Sequence, residues 1–273
     1  MTYFRAETHA GREVLMPESR AGSHWGGRGQ LRGTAVSGAL ARAVEDAASA
    51  LDDAAGFRPV RWTLDLFRPA AMVPSTTEVS VVRRGRRLRL IDAAFVQDGE
   101  TVARSSALFL VTGGKVDGEA WAGPPGHSVP DPELLPATEE PTVYYSEGIG
   151  WTDTAAPHQN SARKMAWHLP SPIVAGETPT PFQHAAAIAD ASNLVANWGS
   201  HGLEFINADV TLVLTRLPDT VDGIGIAAER RSENDGISTA ATTLFDREGP
   251  LGTVLLSTLA NNANAVDPRK VGM

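Results

Sequence analysis

Apolar and polar positions along the chain fall into two runs of the same kind, each a stretch at helical spacing followed by several at strand spacing. Residues 33–51, GTAVSGALARAVEDAASAL, are rich in alanine, free of proline and apolar at helical intervals, which predicts a helix. A Gly-rich lead-in, HWGGRGQLRG, precedes it. Alternating or continuous β-prone runs at 60–68, 77–83, 88–97 and 101–111 predict strands, separated by FRPAAMVPS, an Arg/Gly turn and QDGE. Gln97-Asp98-Gly99-Glu100 is a hairpin signal, because glycine supplies the positive φ that such a turn requires. Residues 113–141 are loaded with Gly, Pro and acids and read as a linker or an irregular crossing segment. The pattern then starts again, with a second alanine-rich helix at 182–198 and strands at 207–215, 223–230, 237–245 and 252–259.

Two halves with one grammar imply a duplicated α+β unit. RWTLDLFRPA aligns with ADVTLVLTRLP, and AAFVQDGETVARSSALFL with TTLFDREGPLGTVLLSTL, at low identity. The final hairpin FDREGPLG stands where the first half has VQDGETVA. The expected layout is an N-terminal unit at 1–113, a linker at 114–141 and a C-terminal unit at 142–273, each a long antiparallel sheet around a central helix.

At 273 residues the chain is long enough for two domains that each bury a core. A net charge of -8 argues against binding a phosphate backbone, so nucleic acid is not an expected partner. With no cysteine there is no disulfide framework, thiolate metal site or cysteine nucleophile. No apolar run approaches the roughly 18 residues of a membrane span, and the opening MTYFRAETHAGREVLM lacks the apolar core of an export signal. A cytoplasmic protein with no membrane partner is expected. Arg83, Arg84, Arg86, Arg87 and Arg89 crowd one predicted hairpin, either as a solvated turn or as an anchor for the phosphates of a nucleotide-bearing ligand. No G-x-S-x-G elbow, HExxH, Walker loop or spaced acidic cluster occurs, so serine-hydrolase, metal and nucleoside-triphosphate chemistry have no motif, and no cofactor is called for.

Several segments in order carry a resemblance: W-GG-RGQ followed by SGALARA between Trp25 and Ala43, TLDLFRPA, V-V-RRGRRL-L-DAAFVQDGETVARSSALF, and in the second half IAD, INAD and FDREGPLGTVLLS. Together the chain resembles the double-hotdog acyl-CoA thioesterases of the acyl-CoA thioesterase II type. The resemblance implies a tandem hotdog fold, an acyl-CoA or acyl-phosphopantetheine thioester as substrate, and pairing of two tandem units into a homodimer. In that family an Asp on the second helix, a Thr on a following strand and a Gln on the last strand position the water that attacks the thioester. Here Asp190 matches the Asp, Asn207 stands for the Thr, and Ser257, with Thr258 beside it, stands for the Gln. An asparagine amide can still hold a water or a carbonyl. The Ser257 hydroxyl is a departure, being too short to reach where a glutamine amide does; Asn193, one helical turn beyond Asp190, is placed to compensate.

Substrate binding is expected from two further places. The approach to the first helix (Gly26, Gly27, Gly29, Gly33) either exposes backbone N–H groups to a developing oxyanion or is a plain tight turn. Arg84 and Arg86 are the candidate phosphate contacts. Trp25, Trp62 and Trp198 read as core or cleft wall. Two rival functions share the fold. One is an acyl-thioester-binding or assembly protein that does not hydrolyse. The other is a hydratase or dehydratase using a His–Asp pair, for which only His184 and His201 lie near Asp190 in sequence.

Overall fold

A computed structural model describes residues 2–23, 29–51, 56–121, 123, 126–135, 142–219 and 222–267. In chain order the elements are β1 (Phe4–His9), β2 (Arg12–Pro17), α1 (Gly33–Ser49), β3 (Phe57–Leu66), β4 (Thr76–Arg84), β5 (Leu88–Gln97), β6 (Glu100–Val111), β7 (Thr142–Ser146), β8 (Gly150–Thr152), β9 (Lys164–His168), α2 (Pro181–Asp190), α3 (Ser192–Asn197), β10 (Trp198–Gly199), β11 (Gly202–Leu203), β12 (Phe205–Leu214), β13 (Ile224–Asn234), β14 (Ile237–Asp246) and β15 (Gly249–Ala260). The eight expected strands are present with ends shifted by a few residues. Strands β1, β2 and β7 to β9 carry no strong alternation, and their pairing with neighbours is what makes them strands.

Eleven strands form one antiparallel sheet in the order β4-β5-β6-β3-β12-β15-β14-β13-β9-β7-β8. The two halves are joined where β3 pairs with β12, with Thr63 opposite Thr211, Asp65 opposite Asp209 and Arg61 opposite Val213. That register is symmetric about Thr63 and Thr211, the residues the alignment of RWTLDL with DVTLVL equates. The duplication is therefore a local two-fold. Matched irregularities support it: β-bulges fall between Pro59 and Arg61 and between Asn207 and Asp209, and again between Phe95 and Val96 and between Leu244 and Phe245.

Both helices lie on one face of the sheet, and the main core fills the space between, with Trp62, Leu64, Phe95, Phe182, Leu212 and Val254 buried. The helices run antiparallel against each other through small residues. Gly33 meets Asp190, Gly38 meets Ala187, and Ser37 donates to Ala186 O at 2.7 Å while accepting from Trp62 Nε1 at 3.1 Å. The alanine richness of both helices thus serves a close interhelical approach as well as helix propensity. A second, smaller core of Val143, Met165, Trp167, Ala227 and Phe245 is covered by Val129 and Leu135, so the later part of the Gly/Pro-rich segment is packed onto the sheet, whereas Val116 and Trp121 in its earlier part are exposed.

Close approach of strands requires glycine at Gly252, where a Cβ would stand 1.9 Å from Val213 O and 2.9 Å from its carbonyl carbon. Backbone cannot step aside as a flexible side chain can. Gly252→Ala is expected to cost about 3 kcal/mol or more, the upper end for overpacking, read as a lower urea midpoint with unchanged slope. No helix among the described residues is long and apolar enough to cross a membrane.

Candidate active site

The predicted helix at 182–198 is in fact broken after Asp190. Its start is encoded locally: Thr180 caps it, its hydroxyl accepting from Gln183 N and its own N–H bonded by the Gln183 side chain, with Pro181 in the first turn. The T-P-F-Q sequence carries that signal. Its end is tertiary. Asn207 Nδ2 reaches from β12 to Asp190 O at 2.9 Å and to Asp190 Oδ1 at 3.1 Å, drawing on a carbonyl near the end of the helix. One turn on, Asn193 Nδ2 donates to Phe205 O at 2.9 Å. The Asn207 side chain inserted from the strand, and the Asn193 side chain reaching out to it, mark the break after which the chain restarts as α3.

The break leaves the Asp190 carboxylate at the tip of α1. A Cβ on Gly33 would stand 2.3 Å from Asp190 Oδ2 and 2.5 Å from Oδ1, so the carboxylate lies directly on the Gly33 backbone. Helix α1 starts at Arg32 without a side-chain cap. Ala35 and Val36 donate to Arg32 O, so the Gly33 and Thr34 N–H groups are the two that the helix itself does not use. The positive end of the helix dipole is directed at the same place. Burial nevertheless pushes the Asp190 carboxyl up to about 6, against the opposing effect of the Asn207 hydrogen bond. Asn207 Oδ1 and Thr34 Oγ1 are buried without a hydrogen-bond partner among the described residues.

Of the expected site residues, the structure brings Asp190, Asn207 and Gly33 together. Ser257 is not with them. It lies between Leu256 and Thr258, both buried on the helix side, so by strand alternation it faces the other side of the sheet, where it pairs with Asp209. Thr258 takes the inner position opposite Asn207, and its hydroxyl donates to Ser238 O at 3.1 Å and accepts from Asn197 Nδ2 at 3.3 Å. Asn193 does not stand in for the missing glutamine, because both ends of its amide are used by Phe205 O and Asn197.

Arg84 and Arg86 are also placed elsewhere. They sit at the β4–β5 turn, at the opposite end of β5 from Gln97. Gln97 bonds Ala71, which bridges to Gln30 beside the start of α1. The ten residues of β5 put roughly 30 Å between the two ends, so the arginine turn and Asp190 do not form one site within the chain. Arg89 of that cluster points inward, buried, with its guanidinium 3.9 Å from the Phe57 ring centroid. Gly26, Gly27 and Trp25 lie outside the described residues. Trp62 is buried in the main core, and Trp198 is buried in the wall of a cleft beside α3.

The His–Asp pair of the rival acid–base reading does not form. His184 is buried on α2, and desolvation, with His168 nearby, pushes its imidazole down to about 3, so it stays neutral. His201 is exposed in the β10–β11 turn. Asp190 is bonded instead by Asn207.

At the pseudo-symmetric end of the helix pair, the first half offers a closed counterpart. Glu45 of α1 lies at the start of α2, its Oε2 accepting from Thr180 Oγ1 at 2.6 Å and from Gln183 Nε2 at 2.9 Å. Arg42, on the same helix, bridges Glu13 and Glu177 across it. Pro59 stands beside the bulge in β3, in the place where the second half has Asn207. One end of the tandem is sealed by side chains, and the other presents a carboxylate with polar atoms to spare. A cleft of about 710 Å³ runs along the C-terminal part of α3, lined by Asn197, Trp198, Phe205, Arg230 and Arg231 among others, and Asp190, Asn207 and Gly33 are not part of its lining.

Sequence comparison matches residues 22–110 to the acyl-CoA thioesterase N-terminal domain and residues 116–255 to the acyl-CoA thioesterase C-terminal domain. The chain belongs to the acyl-CoA thioesterase family. No curated protein matches it. Among solved structures it is similar to a tesB protein of Mycobacterium avium subspecies paratuberculosis, with a TM-score of 0.64, 19% identity, and coverage of 93% of this chain and 95% of that one. It is also similar to an acyl-CoA thioesterase II, TesB2, of Mycobacterium marinum, with a TM-score of 0.62, 16% identity, and coverage of 84% and 90%. A conserved hot dog fold protein of unknown function from Alicyclobacillus acidocaldarius gives a TM-score of 0.64 at 16% identity, with coverage of 93% and 94%. At these identities the likenesses establish the fold: a tandem hotdog, α+β, as the thioesterase family domains and the repeated helix-and-sheet unit both require.

Proposed function

We propose that the protein hydrolyses an acyl-CoA, or a related acyl-phosphopantetheine thioester, with Asp190 as general base. The observation that carries this reading is the Asp190 carboxylate, raised to about 6, held by Asn207 and lying on Gly33 at the start of α1. A carboxylate with that pKa is ionised at neutral pH and basic enough to take a proton from water in the transition state. The water attacks the thioester carbonyl carbon as its proton passes to Asp190. Charge develops on the carbonyl oxygen, and the α1 N-terminus is the site of donors for it. Collapse of the tetrahedral intermediate breaks the C–S bond, and the proton held by Asp190 goes to the departing thiolate, giving free acid and thiol. Asn207 keeps the carboxylate oriented, and its Oδ1 is available to the attacking water.

The name of the Mycobacterium marinum neighbour, an acyl-CoA thioesterase II, points the same way. A second reading, an acyl-thioester-binding protein that does not turn over, is favoured by one observation: the position aligned with the family glutamine is a serine on the far side of the sheet. Purified protein offered acyl-CoAs of graded chain length, with released thiol followed by a chromogenic reagent, decides between them. Turnover well above the background of a boiled sample is expected. Saturable binding without thiol release would establish the second reading.

A further inference from the structure

Alternation along β12 does not by itself put Asn207 where it acts. Val210, Leu212 and Leu214 are buried on the helix side, so an unbroken strand would send Asn207, three residues before Val210, to the outer face. One extra residue corrects this. Asn207 pairs with Thr258 and Asp209 with Ser257, which leaves Ala208 as the bulge and returns Asn207 to the inner face. A bulge interrupts the ladder, and the N–H of Ser257 is taken by a side chain: Asp209 Oδ1 accepts from it at 2.7 Å.

The first half has the same bulge in β3 and holds it differently. There Val60 is the extra residue, Arg61 stands where the second half has Asp209, and Pro59, which has no N–H and is at home in such irregularities, stands where it has Asn207. The Asp209 clamp and the inward amide therefore occur together, in the half that has the open carboxylate. For sheet pairing alone, an acid is a poor choice at this position. Asp209 stands opposite Asp65 across the β3–β12 seam, and like charges placed so are destabilising; Asp65 is drawn to Arg104 at 2.9 Å.

We propose that Asp209 is a positioning residue for the hydrolytic pair: by accepting from Ser257 N–H it fixes the bulge that turns the Asn207 amide toward Asp190. The inference rests on the reading of Asp190 and Asn207 given above. It also gives Ser257 a part, through its backbone N–H on the outer side of the bulge.

The test uses the full chain and two readouts. Titration of the Asp190 carboxyl, by carbon-detected NMR with wild type, Asp209→Ala, Asp209→Asn and Asn207→Ala compared, needs no turnover. Asp209→Ala is expected to move the Asp190 midpoint upward, in the direction of Asn207→Ala, because the hydrogen bond that lowers it is loosened. Asp209→Asn keeps an acceptor oxygen and is expected to titrate as wild type. In acyl-CoA hydrolysis, Asp209→Ala should lower kcat tenfold or more with KM changed less than about twofold, and Asp209→Asn should restore it, since misplacement of a group by an ångström is worth up to about a hundredfold. Should Asp209→Ala not fold, Asp209→Ser, with a hydroxyl too short to span the bulge, replaces it with the same expectations. An Asp190 midpoint unmoved in the Ala or Ser variant overturns the proposal. So does an Asn variant that behaves like the Ala one, which would make the charge rather than the hydrogen bond responsible. If wild type releases no thiol, the hydrolytic reading falls while the titration still decides whether Asp209 positions Asn207.

Discussion

Asp190→Asn is expected to lower kcat for thioester hydrolysis by about a thousandfold, within the range lost when a general base is removed, and to raise thermal stability at pH 8. The two effects share one cause. Burial raises the Asp190 carboxyl to about 6, with the Asn207 hydrogen bond opposing, so the folded protein binds a proton more tightly at this group than the unfolded chain does. Between the usual carboxylate range and about pH 6 the native state holds the proton and the unfolded state does not. The contribution of this group to stability therefore falls as pH rises through that window, and above it the buried charge is a standing cost. The asparagine variant removes that cost. Its melting temperature should exceed that of wild type at pH 8, and the difference should close below about pH 4. Wild-type kcat/KM should fall on the acid side with a midpoint near 6, because only the carboxylate accepts the proton. An asparagine variant that retains half of the activity would remove Asp190 from the chemistry.

Gly33→Ala is the second large effect, and its sign runs against helix propensity. An alanine near the start of a helix ordinarily stabilises slightly. Here its Cβ would fall 2.3 Å from Asp190 Oδ2, 2.5 Å from Oδ1 and 2.6 Å from Cγ. The carboxylate must swing off the α1 tip, which breaks its geometry with Asn207 and with any carbonyl held at the helix N-terminus. A loss of about a hundredfold in kcat is expected, the scale of an ångström-sized misplacement, with a melting temperature within a few degrees of wild type. Steady-state kinetics beside a thermal melt separate the two. Unchanged kcat in a folded Gly33→Ala protein would show that the Asp190 position over Gly33 is not used in turnover.

How far the site was legible in the sequence differs from residue to residue. Family resemblance points to Asp190 and Asn207, and the two are in direct contact. In the sequence Gly33 is one of several glycines that either expose backbone N–H groups or make a tight turn. Its particular requirement, a neighbour 157 positions along a chain that no local rule connects to it, is visible only in three dimensions. Ser257 is the opposite case. The family alignment puts it in the place of the glutamine, but alternation along β15, with Val254, Leu256 and Thr258 buried, turns it to the outer face, while Thr258 stands opposite Asn207. The arginine turn was conspicuous by composition and remote by topology, because a hairpin tip lies a full strand length from the end where the helix begins.

By itself the sequence determined the duplicated unit, the two alanine-rich helices, the eight meander strands and the hairpins at Asp98-Gly99 and within FDREGPLG, since these follow from periodicity, propensity and turn chemistry within a few residues of each other. Only the tertiary structure decided that α2 ends at Asp190, that β3 and β12 join the halves about Thr63 and Thr211, and that one end of the helix pair is closed by Glu45 while the other holds an open carboxylate. The reason is physical: each of these depends on a donor or a steric contact from a segment distant in the chain, and hydrophobic patterning carries no record of which distant group will arrive.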